Sequence, residues 1–168
     1  MPEKTNIVLL GMPGCGKSTV GVLLAKRLRK QFIDTDLLLQ EQEHRLLSEI
    51  IQEDGIEEFI SMENTLNASL LVENAVIAPG GSVIYGKEAM EHYKEIGEIV
   101  YLKLSYESVA KRLGNLTQRG VVLRPEQDLR MLYEERCPLY EEYADYVVLC
   151  DGLDIGETLE LIREKLGR

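Results

Sequence analysis

The sequence has no tryptophan, only two phenylalanines, two histidines and three cysteines among 168 residues. His44 and His92 lie far apart and are not accompanied by cysteines at ligand spacing, so they read as solvated helix residues rather than metal ligands. An odd cysteine count without framework spacing argues against a disulfide scaffold and fits a reducing, cytoplasmic setting. No run of 18 apolar residues occurs, and the first apolar stretch follows five or six residues that carry no charged-then-apolar leader. Neither membrane insertion nor secretion is therefore expected. Positive charge is also scarce: 19 Lys and Arg stand against 29 Asp and Glu, for a net charge of −10. That balance disfavours a nucleic-acid or anionic-membrane surface while leaving room for local cationic clusters. No repeat, low-complexity tract or linker interrupts the chain, so residues 1 to 168 read as one domain, and a monomer is expected.

What is present is concentrated near the start. Residues 11 to 18 read Gly-Met-Pro-Gly-Cys-Gly-Lys-Ser, an unbroken G-x-x-x-x-G-K-[ST] directly after the apolar run Ile7-Val8-Leu9-Leu10. Phosphate oxygens must be met by a row of backbone N–H groups, and Gly11, Gly14 and Gly16 let the chain curl around them without Cβ obstruction. Lys17 adds a cation for the β- and γ-phosphates, and the Ser18 hydroxyl can reach Mg²⁺. The helix from Lys17 to about Arg29 directs its positive end at the same anion. ATP and Mg²⁺ are thus expected, with Gly14, Cys15, Gly16, Lys17, Ser18 and Thr19 as the nucleotide-binding residues.

Strand-like and helix-like segments alternate along the rest of the chain. Phe32-Ile33 is a short strand ending in Asp34-Thr35-Asp36, residues 37 to 52 have helical apolar spacing, and Asp54-Gly55 stops them. Residues 57 to 71 predict a helix, 75 to 78 a buried strand, and 79 to 82 a tight loop. Helices are predicted over 87 to 96, 106 to 113, 126 to 142 and 155 to 166, with strands over 99 to 102 and 146 to 149. Residues 114 to 125 have no periodicity and are polar, basic and glycine-bearing. Five short apolar strands separated by helices predict an α/β three-layer fold, a five-stranded parallel sheet with helices on both faces.

In such a sheet ligands collect at the carboxyl ends of the strands. The phosphate loop, the Asp34/Asp36 pair and Pro79-Gly80-Gly81-Ser82 should therefore converge on one crevice. If the strand persists, Asp34 and Asp36 point in alternate directions, one toward the metal and one toward the acceptor. Phosphoryl transfer uses such a division, with one carboxylate supporting Mg²⁺ and the other orienting and deprotonating the attacking hydroxyl. The competing reading is a pair that only caps the following helix.

The succession of the phosphate loop, Phe32-Ile33-Asp34-Thr35-Asp36, Asp54-Gly55 with Glu58-Phe59, Gly80-Gly81, and Arg136-Cys137-Pro138-Leu139-Tyr140 resembles the shikimate kinase family over nearly the whole chain. The resemblance implies a compact P-loop kinase fold with a substrate-binding segment at about 34 to 62 and a mobile lid at about 112 to 125. It also implies that Asp34 supports Mg²⁺, that Asp36 binds the acceptor hydroxyls and acts as base, and that Gly80 and Gly81 line the acceptor site. By the same resemblance Arg136 grips a substrate carboxylate, Arg112 lies near the adenine, and Arg119 reaches over the phosphates with Lys17 as a catalytic cation. A basic lid also has a physical purpose, since it excludes water from the γ-phosphate and neutralises developing charge.

Three departures cluster on the acceptor side. Ile60 stands where the family usually has a second carboxylate-binding arginine, Pro79 precedes Gly80-Gly81-Ser82 where a third glycine is usual, and Gly120-Val121-Val122 replaces the Pro-Leu-Leu that follows the lid arginine. Loss of one charge-assisted bond to a carboxylate weakens binding by roughly 1.5 to 3 kcal/mol. Shikimate is the default acceptor, with Arg45, Arg124 or Arg136 alone handling its carboxylate. A different small hydroxy acid or hydroxy-amino acid is the alternative, and a nucleotide-dependent binding module without transfer is a further one.

Overall fold

A computed structural model describes residues 3 to 113, 121 and 123 to 168. The first strand, β1 (Asn6–Leu10), has every residue buried, which explains why it reads as a continuous apolar run rather than an alternating one. After the phosphate loop come α1 (Lys17–Leu28) and β2 (Gln31–Asp34), and then three helices, α2 (Thr35–Glu43), α3 (Leu47–Asp54) and α4 (Ile56–Ala68). Strand β3 (Ala75–Ala78), a 3₁₀ turn (Gly81–Tyr85), α5 (Lys87–Ile96) and β4 (Gly97–Lys103) follow. The chain continues through α6 (Tyr106–Arg112), α7 (Leu129–Tyr143), β5 (Tyr146–Leu149) and α8 (Ile155–Leu166).

All five strands are parallel, in the order β2-β3-β1-β4-β5, with Val8 of β1 opposite Ile77 of β3 on one side and Ile99 of β4 on the other. The order reverses on leaving β1, and a crevice opens beyond the carboxyl ends of the strands at that point. The main core runs through β1, β3 and β4 and the helices packed on them. A second apolar cluster of Leu39, Leu47, Ile50 and Phe59 joins α2, α3 and α4 into a separate wall at the β2 edge. Among the described residues no helix is long and apolar enough to cross a membrane.

The single helix expected over residues 37 to 52 is two helices. His44 adopts φ 56, ψ 34, a left-handed conformation that ends α2, and Leu46 is 57% exposed instead of continuing the buried stripe. The corner is held by Arg45, which pairs with Glu43, Glu53 and Asp54 at 3.0, 3.0 and 2.8 Å. The backbone N–H of Leu46 and Leu47 are taken by the side chains of Glu49 and Gln40 at 2.7 and 3.0 Å. Farther along, the helix expected from residue 126 starts at 129, because Glu126 has φ 66 and the Asp128 carboxylate caps the helix by accepting from Met131 N at 2.8 Å.

Candidate functional site

The phosphate loop leads from the end of β1 into α1. Gly16, the residue before the helix, has φ 97, which favours glycine. Lys17 is buried, and its Nζ donates to the loop's own carbonyls, Gly11 O at 2.8 Å and Met12 O at 3.2 Å. Its ammonium thus lies at the centre of the loop, beside the backbone expected to hold the phosphates. Ser18 and Thr19 face solvent at the loop's mouth. Arg112, at the end of α6, donates through Nη1 to Cys15 O at 3.3 Å and so stands over the loop from outside.

Asp34 ends β2 and has two roles at once. Its Oδ1 caps α2 by accepting from Asp36 N and Leu37 N at 3.0 and 3.2 Å, while Oδ2 accepts from the Ser18 hydroxyl at 3.2 Å. Asp36 is not in the strand but in the first turn of α2, so helical geometry and not strand alternation separates the two carboxylates. The helix turns Asp36 into the crevice. Burial there, with Asp34 nearby, pushes its carboxyl up to about 6.

The opposite wall comes from the end of β3 and from α7. Arg136 is buried at 1% exposure; its Nε donates to the Tyr85 hydroxyl at 3.4 Å, and its guanidinium lies 5.4 Å from the centre of the Tyr85 ring. Tyr140, one turn later, donates its hydroxyl to Gly81 O at 2.6 Å and ties α7 to the glycine pair. A Cβ on Gly81 would lie 3.0 Å from Arg136 Nη1 and 3.0 Å from Pro13 Cδ. One on Gly80 would lie 2.7 Å from both Asp36 Oδ1 and Glu63 Oε2. The glycine pair is needed because side chains and the phosphate loop close in on its backbone from three sides.

These groups line one crevice of about 470 Å³ that contains Lys17, Ser18, Asp34, Asp36, Gly80, Gly81 and Arg136, with Leu47, Phe59 and Val121 as apolar wall. Gly14, Gly16 and Thr19 line it where the phosphate loop meets α1. Cys15 is buried beneath it, and its Sγ accepts weakly from Lys17 at 3.7 Å. Arg119 and most of the expected lid, residues 114 to 120 and 122, lie outside the described residues. Ile60 does not line the crevice. It packs into the second apolar cluster with Leu39, Leu47, Ile50 and Phe59, so an aliphatic side chain at 60 serves the α2–α4 wall. Arg45 stands apart from the crevice at the α2–α3 corner, and Arg124 pairs with Glu57 and Glu135 at 3.3 and 3.9 Å.

Glu63 is the residue that sequence reasoning missed. It is buried within α4 and lines the crevice, with Oε1 accepting from the Ser82 hydroxyl at 2.6 Å. Burial, reinforced by Asp36, pushes its carboxyl up to about 8. An acidic residue in a helix with many others offers no sequence signal. Its helical spacing from Phe59, one turn earlier on the buried face of α4, is the only clue available.

A family model described as "Shikimate kinase" matches residues 13 to 166. The shikimate kinase of Vibrio parahaemolyticus is 36% identical over 154 residues, covering 90% of each chain. That of Thermobifida fusca is 34% identical over 168 residues, covering 99% of this chain and 97% of its own. Among solved structures, the shikimate kinase of Acinetobacter baumannii in complex with shikimate superposes with a TM-score of 0.85 at 30% identity, covering 97% of this chain and 93% of that one.

Proposed function

The chain belongs to the shikimate kinase family, and from that premise we propose that its crevice transfers the γ-phosphoryl group of ATP to a hydroxyl of shikimate, forming shikimate 3-phosphate. It is a small-molecule kinase, and its cofactors are ATP and Mg²⁺. The observation that carries the choice of acceptor is the facing of Asp36 and Arg136 across Gly80-Gly81. A carboxylate able to take a proton and a buried guanidinium able to hold a carboxylate share one crevice with the phosphate loop.

In this reading Arg136 and the Gly80-Gly81 backbone orient the acceptor so that its hydroxyl meets Asp36. With a carboxyl group near 6, Asp36 is ionised at neutral pH yet basic enough to receive the hydroxyl proton as the new bond forms. Phosphoryl transfer asks mainly for alignment and for neutralisation of charge on the moving group. Lys17 supplies one cation on the phosphate side, and by resemblance Arg119 supplies another. Ser18 and Asp34 offer hard oxygen ligands 3.2 Å apart, a donor set that suits Mg²⁺, which shares its remaining positions with water and phosphate. When bound there, the ion offsets charge on the β- and γ-phosphates. We also read residues 1 to 168 as one catalytic domain acting as a monomer, and its three unpaired cysteines as suited to a cytoplasmic setting.

The test is ADP release across a panel of shikimate, other small hydroxy acids, hydroxy-amino acids and nucleotides. ADP release that depends on shikimate at low concentration supports the reading. Turnover confined to another acceptor would replace shikimate, and background ATP consumption across the panel would remove the assignment of transfer to any of these acceptors.

A further inference from the structure

Glu63 has no part in the roles given above, yet its setting is unusual. Only 3% of it is exposed, and its Oε2 has no hydrogen-bond partner among the described residues while Oε1 is held by Ser82. Oε2 and Asp36 Oδ1 both lie 2.7 Å from the position a Gly80 Cβ would take, so the two oxygens are no farther apart than twice that distance. The helix holding Glu63 is firmly placed, since Asn67 Nδ2 donates to Glu63 O at 2.7 Å and the Tyr93 hydroxyl donates to Asn67 Oδ1. An ionised carboxylate in this position would face Asp36 with one oxygen unsolvated, an arrangement that burial and like charge both disfavour. A carboxylic acid avoids the like-charge contact and has a proton to offer.

We propose that Glu63 is a specificity-determining residue that acts as a neutral carboxylic acid, donating a hydrogen bond from Oε2 to an acceptor hydroxyl beside the one that Asp36 deprotonates. The site then presents one carboxyl group that receives a proton and one that gives a hydrogen bond. That pairing selects an acceptor with two neighbouring hydroxyl groups over one with a single hydroxyl. The inference rests on the acceptor reading given above. The groups facing Glu63 are Asp36 from α2, Lys17 from α1, Ser82 from the 3₁₀ turn, Tyr93 from α5 and Arg136 from α7. Burial and Asp36 favour the protonated form, Ser82, Arg136 and Lys17 oppose it, and the balance is upward.

Two measurements test this. In ligand-free protein labelled with ¹³C at glutamate side-chain carboxyls, one glutamate should titrate far above the others and vanish in Glu63→Gln. If every glutamate titrates in the ordinary range, the proposal is overturned. In steady-state assays with shikimate, Glu63→Leu should raise the acceptor KM roughly tenfold or more with ATP KM little changed. Glu63→Gln keeps a donor and should lose only about threefold. The wild-type acceptor KM should rise above pH 8, and that rise should be absent in Glu63→Gln. A glutamine variant as impaired as the leucine variant, or one with the wild-type pH profile, overturns the proposal. The titration needs no acceptor, so it is read even where wild-type protein releases no ADP with shikimate, an outcome that counts against the acceptor reading instead.

Discussion

The Ser18 hydroxyl donates to Asp34 Oδ2 across 3.2 Å and so joins the first turn of α1 to the end of β2. Because Asp34 Oδ1 simultaneously caps α2, the helix-cap reading holds for one oxygen, and the proposed metal-support role falls to the other. The capping bonds also orient Oδ2 toward the phosphate loop.

The two roles separate by substitution. Asp34→Asn keeps a capping oxygen and should leave thermal stability nearly unchanged while raising the Mg²⁺ concentration needed for half-maximal activity. Asp34→Ala loses the cap as well and should cost about 1 kcal/mol, a drop of about 2 to 4 °C in Tm for a chain of this size. Equal melting temperatures in the two variants would show that the cap contributes nothing.

Removal of the Lys17 ammonium should abolish transfer, so Lys17→Ala is expected to show no ADP release above background. Asp36→Asn should lower kcat by roughly a hundredfold to ten-thousandfold while leaving nucleotide binding, measured by calorimetry, near normal. In the wild type, kcat/KM for the acceptor should rise with pH through about 6 as Asp36 ionises. Matching losses of nucleotide affinity and kcat in the asparagine variant would remove Asp36 from the acceptor side.

Glu63 also links stability to pH. Its carboxyl is raised in the folded protein from 4.5 to about 8, so the folded state binds the extra proton between those values. The stabilisation is complete below about 4.5 and is lost as pH rises toward 8. Thermal melts of ligand-free protein should therefore show Glu63→Gln gaining on the wild type steadily across that interval. A constant difference would mean that Glu63 titrates at the same pH in the folded and unfolded chains.

A methyl group on Gly80 would meet two carboxyl oxygens at 2.7 Å, closer than such atoms approach. Gly80→Ala should therefore raise the acceptor KM by tenfold or more, while ATP KM changes little because the nearest atoms to the new methyl belong to Asp36 and Glu63 and not to the phosphate loop. Comparable losses on both substrates would point to general misfolding.

Ile60→Arg would place a guanidinium into the apolar wall formed by Leu39, Leu47, Ile50 and Phe59. It should lower stability by about 1 to 3 kcal/mol, seen as a reduced Tm, without improving shikimate turnover. A marked gain in turnover would show that the arginine reaches the crevice after all.

Much of this protein can be read residue by residue because its physical requirements are local. A phosphate loop needs consecutive residues with open backbone and a buried strand before it, so Gly11 to Ser18 were legible at once. Central parallel strands are covered on both faces and appear as short apolar runs, so the sheet followed. Asp34, Asp36, Gly80 and Gly81 were found because the carboxyl ends of strands converge, a rule that needs no side-chain geometry. Arg136 needed the family resemblance, since one arginine in a charged helix has no signature of its own.

Residues brought together from distant parts of the chain followed a different logic. The break at His44 depends on a left-handed backbone and on the three carboxylates gathered around Arg45, neither of which alters the apolar spacing of residues 37 to 52. Whether Ile60 faced the crevice or the helical wall depended on how α4 rotates against α2 and α3. Glu63 acquired its raised carboxyl and its place beside Asp36 only when α4 packed under Gly80. Chain order alone pointed to the nucleotide half of the proposed site, where the expected donors of the phosphate loop are adjacent in sequence. Packing decided the acceptor half, because burial and charge proximity arise between side chains that the chain itself keeps far apart.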